Sequence, residues 1–314
     1  MNGPRTMVAR VEDYLAARRH TGFDLGIAGR QLLSFARFVD QVGHEGPLTF
    51  DVAVRWAQSA RGSTRLTWAR RLEVLRPFAR YLVQFDANTA VIPARFFGAA
   101  HRRLAPHIYT EHEIVDLLHA ANDLTPTGGL RPQTYQTLFG VLAATGLRLS
   151  EALHLKMRDV EADRLTVRQT KFRKSRLVPV HVSTARALAR YATVRDRTLR
   201  GVRIETFFVS GRGEPLAART VESTFQTLRA QLGWVARGGH AWPRLHDLRH
   251  TFICHGLLRS YREGHPADHV IDALSTYVGH ARVSDTYWYV TATPELMAIA
   301  AQRFEPMAAD GEAL

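Results

Sequence analysis

Along the first hundred residues, apolar side chains recur at every third or fourth position and break off at short polar stretches. This spacing predicts helices near Met7–Arg19, Ala28–Val42, Phe50–Ala60 and Arg65–Phe85, each with one face to bury. Thr21-Gly22 and Gly43–Pro47 supply turns between them. From Val91 to His107 the period disappears while Pro93, Pro106, Arg95, Arg102 and Arg103 accumulate, the pattern of an exposed basic linker. A boundary near residue 105 follows, with a helical unit over 1–105 and a second unit over 106–314.

The second unit opens on Thr110, an N-cap with Glu113 three residues on, a capping box ahead of Ile114, Leu117 and Leu118. A Thr-, Pro- and Gly-rich loop (Thr125 to Pro132) precedes an apolar helix from Thr134 to Ala144 that stops at Gly146. Ser150 is expected to cap the next helix, Glu151 to Leu155, which leaves Arg148 in the turn between the two. From Arg164 to Val180 the period changes to two, with Leu165 and Val167 before and Leu177, Val178 and Val180 after a polar tip, Gln169 to Ser175. That alternation predicts a β-hairpin with a basic tip. Helix is expected again at Thr184–Arg200, a strand at Thr206–Ser210, a turn at Gly211–Gly213, and helices from there to the end. The fold class is mainly α with a small β-sheet.

Composition narrows the partner. The net charge is +13 on 314 residues, and clustered cations gain affinity for polyanions by displacing counterions from phosphates. Residues 1–105 hold 16 arginines, no lysine and 8 acids, a net +8, so the helical unit is the more densely basic and is expected to grip DNA backbone. A simply solvated helical bundle explains many of these arginines one by one. Cys254 is the single cysteine, which excludes a disulfide framework or a Cys-rich zinc module within one chain. Met1 to Arg10 has no apolar leader, and Leu138–Leu147 is far short of the roughly 18 residues of a membrane span. No membrane partner and a cytoplasmic location are expected.

Six residues carry candidate chemistry: Arg148, Lys171, His246, Arg249, His280 and Tyr289. Breaking a phosphodiester without a metal needs a nucleophile, stabilisation of the negative phosphorane, and a proton for the leaving 5′ oxygen. Two always-charged guanidiniums, Arg148 and Arg249, suit the second task because each forks onto two phosphate oxygens. Tyr289 is the candidate nucleophile. Lys171 is the candidate acid, since an ammonium can release a proton that a guanidinium holds, and Lys174 is its neighbour and competitor. Taken alone, His246 and Arg249 could also be a capping histidine and a salt-bridged arginine, and Gly279-His280 could be a helix stop.

With these contexts assembled, the chain resembles the tyrosine recombinases of the phage-integrase family over about residues 107 to 305, and less closely before that. Thr145 to Glu151 matches the family's Thr-Gly-Leu-Arg-x-Ser-Glu box, which gives Arg148 its role and Glu151 that of supporting acid. Lys171, ahead of Lys174-Ser175-Arg176-Leu177-Val178-Pro179, matches the hairpin lysine. His246 and Arg249 match the His-x-x-Arg box, His280 the Gly-His box, and Tyr289, nine residues on, the nucleophile. Thr170 and Phe172 stand where glycines are common, and Tyr287 lies beside Tyr289 across Trp288, so spacing alone selects Tyr289. Thr286 to Met297 is similar to recombinases borne by transposons.

The resemblance implies a C-shaped clamp on DNA, formed by a helical core-binding domain and a mixed α/β catalytic domain with a C-terminal tail helix. It also implies a 3′-phosphotyrosyl link, successive strand exchanges through a Holliday junction, and a homotetramer on double-stranded DNA, with accessory recombinases as further partners. Neither a metal nor another cofactor is implied. Arg102, Arg103, Arg173 and Lys174 are the expected backbone contacts. The tail from Glu295 to Phe304 could dock on a neighbouring protomer or on its own domain. Other readings weighed are a type IB topoisomerase, a zinc hydrolase built on His246 and His250, and a non-catalytic DNA-binding relative.

Overall fold

The computed structural model describes residues 6–60, 62–101, 103–168, 175–200 and 204–292. The chain divides into two compact units, 1–103 and 104–314. The first is built from α1 (Met7–His20), α2 (Gly26–Gln41), α3 (Phe50–Gln58) and α4 (Arg65–Val83). Thr6, Thr49 and Thr64 cap three of them, each hydroxyl accepting a backbone N–H three residues on. α4 runs through Pro77, which removes one internal hydrogen bond without ending the helix. The apolar faces meet in a core around Phe35, Trp56, Leu75 and Phe78, and Arg71 lays its guanidinium over the Trp56 ring at 4.0 Å.

The second unit begins with α5 (Glu111–Asn122), whose capping box between Thr110 and Glu113 forms as expected. α6 (Leu130–Thr145) starts four residues before the expected point, because Pro132 falls in its first turn, where a missing N–H costs nothing. After α7 (Leu149–Leu153) and a 3-10 turn at Met157–Asp159, β1 (Arg164–Val167) pairs antiparallel with β2 (Arg176–Pro179). The hairpin tip, with Lys171, Arg173 and Lys174, lies outside the described residues, as do Arg102 and the segment Glu295 to Phe304. Arg103 is described and exposed.

Then come α8 (Val182–Thr198), α9 (Ala218–Gln231), α10 (Asp247–Arg262), α11 (Ala267–Val278) and α12 (Ser284–Ala292). One core gathers α5, α6, α8 and α9 around Phe139, Tyr191, Phe207 and Phe225. A second, smaller one ties Ile253, Leu257, Ile271, Val278 and Tyr289 together, joining α10, α11 and α12.

Two expected features are corrected. Thr206–Ser210 forms isolated bridges, Lys156 to Thr206 and Val209 to Pro215, instead of a strand. Its backbone is satisfied by a loop, Phe207 N–H donating to the Leu155 carbonyl at 2.8 Å, so the buried phenylalanines need no ladder. Ser150 is not a cap: α7 begins at Leu149, Arg148 occupies the N-cap position, and the Glu151 carboxylate accepts the Arg148 N–H at 3.0 Å.

Candidate active site

Arg148 sits between α6 and α7, where the sequence requires a sharp turn. Its Nη1 donates to Glu151 Oε1 at 2.7 Å and its Nη2 to the Gly279 carbonyl at 3.2 Å. Arg249, on the first turn of α10, donates through Nη1 to the Gly146 carbonyl and through Nη2 to the Val278 carbonyl, both at 2.8 Å. Both guanidiniums are therefore held by carbonyls at the C-terminal ends of α6 and α11, the orphan acceptors at the negative end of each helix dipole. Arg249 bonds to backbone and makes no carboxylate pair in these contacts, which differs from the salt-bridged arginine its sequence context also allows. Arg148 stays one-third exposed, open to an anion from solvent, while Arg249 is 2% exposed behind it.

Glu151 does more than support Arg148. Arg176 of β2 donates to it through Nη1 at 3.2 Å and Nη2 at 2.9 Å, and through Nε to the Tyr277 carbonyl at 2.9 Å. Burial pushes the Glu151 carboxyl up, but the bonds from Arg176 and from the Arg148 backbone outweigh it and hold it down to about 2. Sequence reasoning passed over Arg176. It is named there only as part of the basic run, and the signal was its place in a strand that is otherwise apolar.

His246 occupies the N-cap position of α10 without a side-chain cap bond, so the capping role is not its own. Its ring crosses that of His250 edge to face, 4.9 Å between centroids. His250 Nδ1 lies 2.6 Å from the Tyr289 hydroxyl. The Tyr289 ring is parallel to that of His280, 6.2 Å away at 3°. Gly279 ends α11 with φ +70°, turning the chain so that His280 points back, and His280 Nδ1 shares a hydrogen with Thr286 Oγ1 at 2.7 Å. The Gly-His pair thus ends the helix and also sets the His280 ring alongside Tyr289. Tyr287 faces elsewhere: its hydroxyl donates to Asp268 Oδ1 at 2.9 Å, and the side chain is exposed.

So five of the six expected residues converge, Lys171 lying outside the described residues. Burial, followed by the charge of Arg249, holds both His246 and His280 down to about 4. Burial and the nearby His246 hold His250 to about 3. Burial and then Arg148 lower Arg249 to about 10. Three imidazoles kept neutral by burial stand with two guanidiniums, a net positive cluster suited to an anion. The His246 and His250 rings are perpendicular, and His250 Nδ1 faces the phenol. Among the described residues no three His, Cys, Asp or Glu side chains converge as a ligand set.

The model of the phage integrase family matches residues 108–295, a span that contains every one of these side chains. The chain belongs to the phage integrase family. Among its relatives is y4rB of Sinorhizobium fredii, whose name is that of an integrase/recombinase. It is 38% identical over 302 residues, covering 94% of this chain and 96% of that protein. Tyrosine recombinase XerC of Chromohalobacter salexigens is 30% identical over 89% of each chain. The fold of this integrase-family chain is shared with the Tn1549 transposon integrase solved with transposon right end DNA, at a TM-score of 0.68 and 15% identity over 97% of this chain and 100% of that one. It is shared too with the XerH recombinase in its post-cleavage complex, at 0.64 and 17% over 95% and 85%. The family expected from these six residues is the one matched, and the chain is a tyrosine-type site-specific recombinase by family. Among the described residues no helix of this integrase is long and apolar enough to cross a membrane.

Proposed function

We propose that this recombinase breaks and rejoins double-stranded DNA with Tyr289 as nucleophile. The observation that carries the reading is the convergence of Arg148, Arg249, His246 and His280 on one buried phenol. Arg148 and Arg249 hold the non-bridging oxygens of the scissile phosphate, and their positive charge stabilises the phosphorane where it forms. His246 and His280 each offer one N–H to the same group. The Tyr289 oxygen bonds to phosphorus, the P–O5′ bond breaks, and a 3′-phosphotyrosyl link remains, so the bond energy is kept for rejoining. Lys171, matched to the family's hairpin lysine, supplies the proton of the leaving 5′ hydroxyl. Glu151 and Arg176 keep Arg148 in place, and Arg102, Arg103, Arg173 and Lys174 contact backbone.

The wider reaction is read from relatives. A lambda integrase tetramer has been solved bound to a Holliday junction, and the Tn1549 integrase in complex with circular intermediate DNA. A tetramer that exchanges one pair of strands at a time, in the integration or excision of a mobile element, is the activity those likenesses support for this chain.

The test uses nicked suicide duplexes with a randomised core, incubated with the full chain and run on a denaturing gel. Wild-type protein is expected to give a covalent protein–DNA adduct that Tyr287→Phe retains and Tyr289→Phe loses. The reverse pattern defeats the assignment. Lys171→Ala is expected to cleave slowly and to recover on a 5′-thio leaving group, which departs without a proton.

A further inference from the structure

A phenol with a reference pKa of about 10 is almost wholly protonated at neutral pH, so its attack requires a partner that takes the proton as the new bond forms. None of the six family residues has been given that task. The Tyr289 hydroxyl lies 2.6 Å from His250 Nδ1, within hydrogen-bond reach of an acceptor. On the other side of the ring, Nε2 faces Asp247 Oδ1 at 4.0 Å, and Asp247 is fully buried. A carboxylate there favours the tautomer protonated on Nε2, which leaves the Nδ1 lone pair aimed at the phenol. Acid, imidazole and hydroxyl follow the order that activates serine nucleophiles, with Asp247, itself bound by Arg244 at 2.7 Å, acting on the ring through its charge at 4.0 Å and not through a hydrogen bond.

We propose that His250 is the general base for Tyr289. This role rests on Tyr289 being the nucleophile. The proton of the phenol passes to Nδ1 as the Tyr289 oxygen bonds to phosphorus, while the departing 5′ oxygen takes its proton from a separate acid. On rejoining, the 5′ hydroxyl returns its proton to that acid, and the imidazolium gives its proton back to the leaving phenol oxygen. Asp247 offsets the imidazolium charge in both directions.

The groups facing His250 are consistent with this task. Asp247, Arg244, His246 and Arg249 come from its own helix and the residues just ahead, His280 from the turn after α11, and Trp288 and Tyr289 from α12. Burial and these cationic neighbours keep the ring neutral at pH 7, with its lone pair available. A phosphodiester seated against Arg148 and Arg249 adds negative charge beside the ring and raises its proton affinity, so the base strengthens when substrate arrives.

Single-turnover adduct formation is the measurement, on nicked duplexes recovered by wild-type protein from the randomised library, with ordinary 5′-oxygen and with 5′-thio leaving groups. His250→Gln keeps an amide that can hold the hydroxyl but cannot accept its proton, and is expected to slow both substrates by about 100-fold or more. This pattern differs from Lys171→Ala, which the thiol rescues. His250→Ala is expected to regain activity with added imidazoles, faster as their pKa rises, which a merely structural role would not produce. Wild-type rates for His250→Gln, its rescue by the thiol, or indifference of His250→Ala to the pKa of added imidazole each overturn the proposal. Absence of a Tyr289 adduct from wild-type protein defeats the nucleophile assignment instead.

Discussion

Arg176 and Glu151 form a two-pronged ion pair between β2 and α7, with Nη1 3.2 Å from Oε1 and Nη2 2.9 Å from Oε2. The same carboxylate receives Arg148 through both backbone and side chain. A single buried acid therefore joins the hairpin to the arginine expected to meet the phosphate, and two cations share its charge.

Glu151→Gln removes that charge with little change of shape and leaves two guanidiniums facing a neutral amide. Breaking a buried pair by neutralising one member typically costs about 3 kcal/mol, because the remaining charge stays desolvated. We expect a lower Tm together with slower adduct formation. Arg176→Ala is expected to slow adduct formation in the same way, although it never reaches DNA chemistry itself. An Arg176→Ala protein with wild-type cleavage would show that Arg148 is positioned without it.

Gly279→Ala tests the packing behind this network. A Cβ at Gly279 would lie 2.6 Å from Arg176 Nη1 and 2.8 Å from its Cζ, on a backbone at φ +70°. Gly264, at φ +82° with nothing within 4 Å, carries the backbone penalty alone. Gly264→Ala is therefore expected to lose about 1 kcal/mol in chemical denaturation with cleavage unchanged. Gly279→Ala is expected to lose more and to cleave poorly, since the Arg176 guanidinium must leave Glu151. Equal losses for the two variants would contradict the network argument.

Much of this was legible in the sequence because local signals report local structure. The periodicity of residues 1–105 gave four helices to within a few residues, and the Thr110–Glu113 spacing gave a capping box that forms. Arg148, His246, Arg249, His280 and Tyr289, each singled out by a short local string, come together in the fold. What was not legible depends on contacts between distant segments. The partnership of Arg176 with Glu151 spans 25 residues and that of His250 with Tyr289 spans 39. His250 follows Arg249 directly, so only the packing of α12 against α10 reveals that it faces the phenol. The strand expected at Thr206–Ser210 failed for a related reason: its apolar run reports burial, and a neighbouring loop took the backbone bonds.

Thr286 is fully buried, and its hydroxyl lies 2.7 Å from His280 Nδ1. This bond holds the rotation of the imidazole and, on the proposed function, leaves Nε2 as the atom that meets the phosphate. Thr286→Val keeps the volume and removes the hydroxyl, so the ring loses its orienting partner in a buried setting. An unsatisfied buried group costs about 1–3 kcal/mol, and we expect adduct formation to slow by on the order of 10-fold as the ring turns. Thr286→Ser should restore the rate. Unchanged cleavage by Thr286→Val would mean that packing alone orients His280.

The histidines also make stability depend on pH, with a definite sign. In the folded chain His246 and His280 are held to about 4 and His250 to about 3, burial being the leading cause in each case. An unfolded histidine titrates near 6.5, so between roughly pH 6.5 and 4 the unfolded chain binds more protons than the folded one. The stability these groups contribute is complete above that window and is lost as pH falls through it, at up to about 1.4 kcal/mol per histidine per pH unit. Glu151, held to about 2 against an ordinary value of 4.5, adds its own loss only below that ordinary value. Thermal melts are thus expected to show Tm falling steeply from pH 6.5 to 4, with a shallower slope in His250→Gln, which carries one titrating ring fewer. A flat Tm across the window in wild-type protein would mean that the three rings take up protons without opening the site, contrary to their burial beside Arg148 and Arg249.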